Sequence, residues 1–239
     1  MRFLDLSLPS PEEDLACDEA LLELAEAGRQ TEVLRFWEAA RYFVVVGYGN
    51  RVEREVDLAF CQHNAMPILR RCTGGGTVVQ GPGCLNYSLV LSTGRCESSP
   101  GITATNDFVL GRHQAALAAL LHAGVQREGQ TDLAIGRLKF SGNAQRRKKH
   151  FLLFHGSFLL DFNLALIEKS LLMPSRQPEY RANRSHADFL VNLKLPADLV
   201  KQTLREAWQA LESAGAVPTE AIGRLVREKY SLDEWNRKF

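Results

Sequence analysis

A chain of 239 residues, 45% hydrophobic and 24% charged, is long enough to bury a sizeable core in one large or two small domains, which excludes disorder and collagen-like repeats. Its formal net charge of +1 gives no global field for nucleic acid or an anionic membrane, so neither partner is expected and any electrostatic recognition must come from a local patch. The opening MRFLDLSL lacks a charged start followed by a long apolar run, and no stretch reaches the ~18 apolar residues of a membrane span.

Ser10-Pro11-Glu12-Glu13 predicts a helix entrance, with Ser10 as N-cap, Pro11 at the first helical position and Glu13 closing a capping box. That helix runs to about Ala27, with Gly28 as its stop. VLRFWE (33 to 38) and YFVVVG (42 to 47) are β-branched and aromatic, and predict a hairpin. Further strands are expected at 67 to 72, 76 to 80 and 85 to 91, then a helix over 106 to 122. DLAIGRLKFSGNAQ and HFLLFHGSFLLDF return to strand patterning. Helices are expected at 197 to 214, with Leu199, Val200, Leu204, Trp208 and Leu211 as one buried stripe, and at 219 to 230. This order predicts an α+β fold on a mixed sheet, not regular β-α alternation.

Five cysteines, at 17, 61, 72, 84 and 96, form no C-x-x-C pair, as expected for reduced thiols in a cytoplasmic protein and not for a disulfide or zinc framework.

Two segments carry chemistry. In Arg70-Arg71-Cys72-Thr73-Gly74-Gly75-Gly76-Thr77-Val78-Val79, two fixed positive charges lead into three glycines. Glycine lets backbone N–H groups approach a phosphate, and arginine adds a forked donor set; a bare tight turn is the plainer alternative. Neither a P-loop nor a G-x-G-x-x-G pattern is present. The second segment places Lys139 in an alternating strand just before Ser141-Gly142-Asn143, with Asp132 upstream. Facing inward, Lys139 needs an anionic partner; facing outward, it is a solvated strand lysine. Arg146-Arg147-Lys148-Lys149 is most simply a solvated hairpin tip, or else a docking patch. His155-Gly156 interrupts an apolar strand, either as a core histidine beside a glycine bulge or as a pocket wall.

Arg70-Arg71-x-Thr73-Gly74-Gly75-Gly76, Lys139-x-Ser141-Gly142-Asn143-Ala144 and His155-Gly156-Ser157-x-Leu159-Leu160 together resemble, in order and spacing, the signature blocks of the lipoate-protein ligase A family. The likeness extends from DEALLE to Val191-Asn192-Leu193, about residues 1 to 195. It implies a catalytic domain of the kind shared with biotin ligases and octanoyltransferases. The implied activity is ATP-dependent conversion of lipoate to lipoyl-AMP, followed by transfer to a lysine of a lipoyl carrier domain. The ATP-site positions that the likeness implies are Arg71, Gly76, Thr77, Val78, Val79 and Lys139; the residues of the three blocks add Arg70, Gly74, Gly75, Asn143 and His155 as expected binding positions, with Lys139 as the expected catalytic residue and Asp132 as ligand to Mg2+ or orienter of Lys139.

The physics agrees. Forming an acyl adenylate brings a carboxylate up to a negative phosphate, and a lysine ~4 Å from both offsets on the order of 4 kcal/mol per charge pair at an effective dielectric near 20. An apolar acyl tail needs an apolar slot, expected along Phe36 and Val44, Val45 and Val46.

Three departures qualify the likeness. Ligases of the family commonly have Ser at Thr73, Ala at Thr77 and a His-Asp pair at Gln80-Gly81. Gly81-Pro82-Gly83 is similar to a run in octanoyltransferases, which makes transfer from an acyl carrier thioester the first rival; those enzymes use a cysteine, and Met173-Pro174-Ser175 and Gly129-Gln130-Thr131 hold none where it is expected. A non-catalytic lipoyl-binding paralogue is the second rival. The residues after 193 are expected to pack on the catalytic domain as helices over 197 to 239, giving one domain over 1 to 239, with any help in closing the site coming from a separate small accessory protein.

Overall fold

The computed structural model describes residues 1 to 96 and 101 to 239, with Cys96 described in its backbone only, so the expected reduced thiol at Cys96 lies outside the described residues. The strands are β1 (Arg2–Asp5), β2 (Val33–Trp37), β3 (Phe43–Val46), β4 (Ile68–Arg70), β5 (Val78–Gln80), β6 (Cys84–Ser92), β7 (Val125–Glu128), β8 (Asp132–Ile135), β9 (Leu138–Arg147), β10 (Phe151–Leu159) and β11 (Glu212–Ser213). An eight-stranded sheet runs in the order β11-β1-β2-β6-β10-β9-β8-β7, parallel over its first three strands and antiparallel from β2 onward. A three-stranded sheet has β3 between parallel β4 and antiparallel β5. The helices are α1 (Pro11–Glu26), α2 (Val52–Glu55), α3 (Leu58–His63), α4 (Ile102–Leu121), α5 (Leu164–Ser170), α6 (His186–Phe189), α7 (Ala197–Ala207), α8 (Thr219–Leu225) and α9 (Asp233–Asn236). None is long and apolar enough to cross a membrane among the described residues.

Helix α1 begins as its sequence dictates. Ser10 accepts the N–H of Glu13, and the Glu13 carboxylate accepts the Ser10 N–H at 2.9 Å, so two of the amides left free at a helix start are satisfied. The helix packs its apolar face between the sheets, where Leu15, Leu21 and Leu22 meet Val33, Val90 and Leu153 of the large sheet and Phe43, Val45 and Leu69 of the small one. On the opposite face of the large sheet, α4 and α7 cover Leu34, Phe36, Leu89 and Phe154.

Two expectations are corrected. The strands at 33 to 38 and 42 to 47 do not form a hairpin: β2 joins the large sheet and β3 the small one. Both are buried along their whole length, and the connecting Ala39-Ala40-Arg41 offers no Asn or Gly for a tight reversal. The helix expected over 197 to 214 ends at Ala207; Gln209 takes φ 52, and the chain becomes β11, pairing with the free edge of β1. Edge pairing overrides helix propensity here. Val200, Leu204 and Trp208 form the buried stripe, whereas Leu199 and Leu211 are 40% and 68% exposed.

Candidate active site

A cavity of about 910 Å3 is lined from both sheets, by Arg71, Gly75, Gly76, Thr77, Val78, Val79, Asp132, Lys139, Asn143 and His155 among others. Strand register aligns one wall. Trp37, Asn86, Ser157, Gly142 and Asp132 are successive partners across β2, β6, β10, β9 and β8, which puts these five residues in one row along the wall.

The glycine loop is organised around Arg71. Its Nη2 donates to the carbonyls of Gly74 at 2.6 Å and Gly76 at 2.7 Å, its Nε to Thr73 Oγ1 at 3.0 Å, and its Nη1 to the Val45 carbonyl at 3.3 Å. Asn50 Nδ2 donates to the Gly75 carbonyl at 3.1 Å, and the Tyr48 N–H to that of Thr73 at 2.8 Å. Every carbonyl from 73 to 76 is thus taken, while the N–H groups of Gly74, Gly75 and Gly76 donate to no partner among the described residues. Such a loop offers amides, not carbonyls, to an anion. Arg71 itself pairs with no carboxylate among the described residues, and burial pulls its guanidinium down to about 10, so an anion would be welcome beside it.

Arg70 is set apart from the other expected binding residues. It is fully buried off the cavity, and its guanidinium donates to the carbonyls of Gly47, Tyr48, Asn50, Trp235 and Asn236. Alternation explains the difference, because consecutive strand residues point to opposite faces. Gly74 contributes its carbonyl to Arg71 but does not line the cavity.

Lys139 faces inward and finds its anion in Asp132, with Nζ 2.9 Å from Oδ1; Tyr180 donates its hydroxyl to the other oxygen at 2.7 Å. The lysine reaches across Gly142, where a Cβ would stand 2.8 Å from Nζ, tighter than real contacts. Both Asp132 oxygens are therefore engaged, and among the described residues no three His, Cys, Asp or Glu converge to hold a metal. Asp132 fits the role of orienting Lys139 better than that of a metal ligand. Asn143 accepts from the Tyr87 hydroxyl and donates to the Thr131 carbonyl at 2.7 Å, crossing over Gly156, where any Cβ would collide with its Oδ1. The histidine-glycine pair is thus a cavity wall that leaves room for Asn143.

A buried charge cluster, not expected from the sequence, stands behind His155. Arg35, fully buried in β2, pairs with Asp14 and with Asp18, the latter at 2.6 Å. Asp18 Oδ2 lies 3.4 Å from His155 Nδ1, and His155 Nε2 lies 2.6 Å from Thr73 Oγ1, so the cluster connects through His155 to the glycine loop. Its mark in the sequence is a charged residue inside the apolar run VLRFW together with two carboxylates four apart, on the face of α1 that is buried. The apolar slot is also relocated. Phe36 and Val44, Val45 and Val46 are sealed in the core, and the cavity's apolar lining includes Leu15, Trp37, Val79, Leu159, Ile167 and Leu171 instead. On that lining Trp37 Nε1, Gln80 Oε1 and Asn86 Oδ1 are buried without a hydrogen-bond partner among the described residues, Gln80 standing where the family likeness would place histidine.

Two of the four cations of the basic tip, Arg146 and Arg147, are engaged by side-chain bonds, and the backbone of the tip is held by Glu26. Arg146 donates to Glu19 at 3.2 Å and to the Cys72 carbonyl, Arg147 donates to Thr105 Oγ1 at 2.7 Å, and Glu26 accepts the N–H groups of Lys149, His150 and Phe151. Among the described residues no cysteine lines the cavity. Burial pushes the thiols of Cys61 and Cys72 up to about 11 and those of Cys17 and Cys84 to about 12, and all four are unpaired.

Residues 10–212 match the lipoyl protein ligase A/B catalytic domain. The chain is 28% identical to lipoate-protein ligase A subunit 1 of Thermoplasma acidophilum, over 93% of this chain and 90% of that one. It is also 28% identical to the octanoyltransferase LipM of Geobacillus kaustophilus, over 99% and 98%. Among solved structures, the bi-partite lipoate protein ligase of Thermoplasma acidophilum, studied with its E2 lipoyl domain, superposes with a TM-score of 0.83 at 25% identity, covering 99% of this chain and 95% of that one. A lipoate-protein ligase A bound with ATP superposes with a TM-score of 0.82 at 25% identity, covering 99% and 98%. The mixed sheet and its helices are those of the lipoate-ligase fold.

Proposed function

Because this chain belongs to the lipoyl protein ligase A/B catalytic-domain family, whose members are ligases and octanoyltransferases, we propose that it is a lipoate-protein ligase: it uses ATP to convert lipoate to lipoyl-AMP and passes the lipoyl group to a lysine of a lipoyl carrier domain. The observation that carries this reading is the pairing of Arg71, a buried cation that among the described residues has no carboxylate partner, with a loop whose glycine amides are unengaged among the same residues, in the same cavity as Lys139. Attack of a carboxylate on an α-phosphate joins two anions. Loop amides and Arg71 would hold phosphate oxygens, and Lys139, fixed by Asp132, would screen the approaching carboxylate. Mg2+ would come with the nucleotide, held chiefly by its phosphates, since a carboxylate already bound at both oxygens offers little.

A second reading, octanoyl transfer from an acyl carrier thioester, is favoured by the full-length match to a transferase and by Gly81-Pro82-Gly83. Such transfer needs a thiolate at the site, and the four cysteines with described side chains are buried thiols off the cavity. Their reduced state suits the cytoplasm, where we place the enzyme. The non-catalytic alternative, binding an apolar acid, has no use for both Arg71 and Lys139 in one cavity.

We read residues 1 to 239 as one catalytic domain, supported by Trp208 in the core under the large sheet and by the bonds from Arg70 to Asn236. The test is to incubate purified protein with a lipoyl domain and follow acceptor mass. Modification that requires lipoate and ATP together supports the ligase; modification from an octanoyl carrier thioester without ATP supports the transferase. Activity of the chain alone removes the need for an accessory protein.

A further inference from the structure

The fully buried Arg70 spends its guanidinium on two segments that nothing in the sequence links: residues 47 to 50 and the C-terminal Trp235 and Asn236. The contact with the C-terminus runs both ways. The Arg70 N–H donates to Asn236 Oδ1 at 2.9 Å, and the Trp235 indole N–H donates to the Arg70 carbonyl at 2.8 Å. Residues 47 to 50 in turn underlie the glycine loop: Tyr48 donates to the Thr73 carbonyl, Asn50 to that of Gly75, and a Cβ on Gly47 would collide with the Gly75 carbonyl. A second strut acts at Cys72, whose carbonyl accepts from Arg146, itself paired to Glu19 together with Lys229.

From this geometry we propose that Trp235 and Asn236 of α9 are positioning residues for the anion-binding loop, acting through Arg70 to keep the loop carbonyls engaged and its amides presented. The proposal rests on the reading of that loop as the phosphate site. It explains why a buried guanidinium is kept with five carbonyls and the Phe239 ring but, among the described residues, no carboxylate, a costly arrangement unless its forked geometry is needed to tie separate segments together.

The experiment uses the full chain with Trp235→Phe, which keeps an aromatic side chain of smaller size and loses the N–H, and with Asn236→Ala. Amide hydrogen exchange is read at Tyr48 and Arg71, whose N–H groups are bonded to Thr73 and Val46 carbonyls, and KM for ATP and kcat are measured alongside. Losing one or two hydrogen bonds should accelerate exchange at these amides about tenfold while leaving the β6 and β10 amides unchanged, and should raise KM for ATP about tenfold with kcat nearly constant. Unchanged exchange at Tyr48 and Arg71 in both variants would overturn the proposal, as would a uniform acceleration across the molecule, which marks a general loss of stability. Accelerated exchange in a protein whose wild type neither binds nor uses ATP would leave the positioning intact and reject the ligase reading instead.

Discussion

Lys139 illustrates how one residue type becomes informative only through its neighbours. Its Nζ crosses Gly142 to reach Asp132, which Tyr180 fixes from the other side, so the ammonium is held at a set point on the cavity wall. Replacement by alanine should reduce acyl-adenylate formation on the order of a hundredfold or more, the size of effect seen when one preorganised charge-stabilising donor is removed. Single-turnover measurement of adenylate in Lys139→Ala checks this, and near-normal formation would reject the assignment. At this scale the likeness of three motifs, and not spacing alone, singled out Arg71, the glycines and Lys139, and Arg71, Gly75, Gly76 and Lys139 line one cavity. It was misleading at Arg70, because two adjacent arginines look equivalent until strand alternation sends one into the core. Asp14, Asp18 and Arg35 become one cluster only when helix α1 is laid against β2, which local pattern does not specify.

Helix α1 and strand β2 meet around one guanidinium and two carboxylates, a pair of elements whose ionisation differs. Burial pushes Asp14 up to about 7 against the pull of Arg35, whereas Asp18, though burial raises it as well, is held below the usual carboxylate range by Arg35 and His155. An acid whose folded value lies above its unfolded 3.8 takes up a proton on folding, so the Asp14 contribution to stability falls as pH rises from about 4 to about 7. Asp18 has the opposite sign: its contribution is present above the unfolded value and is lost as pH falls. Asp14→Asn cannot ionise, so its stability relative to the wild type should improve steadily across pH 4 to 7 in urea unfolding; a constant difference would show that Asp14 does not titrate there. The β9–β10 hairpin makes a different prediction. Arg146→Glu sets a carboxylate against buried Glu19 and should cost about 2 to 3 kcal/mol, whereas Lys148→Glu with Lys149→Glu should change stability by about 0.5 kcal/mol or less. Equal effects would mean that the Arg146–Glu19 pair contributes nothing.

Across the whole molecule, α+β class, capped first helix and most strands follow from local pattern, since capping and alternation are local physics. Which strand joins which sheet does not: β2 and β3 are adjacent in sequence and buried throughout, so nothing in their composition distinguishes a hairpin from a crossing between sheets. The short β11 and the path of the C-terminal residues depend on a free strand edge and on Arg70, both distant in sequence. The central chemical question is likewise a property of the assembled cavity, where Arg71, the glycine amides and Lys139 converge and none of the cysteines with described side chains lines the wall. Isotope exchange between labelled pyrophosphate and ATP, measured without an acceptor protein, addresses it most directly. Ligase chemistry predicts label entering ATP only when lipoate is present, and no such exchange in Lys139→Ala. Absence of exchange with either lipoate or octanoate, in a preparation that moves octanoyl from a carrier thioester to a lipoyl domain, would contradict it.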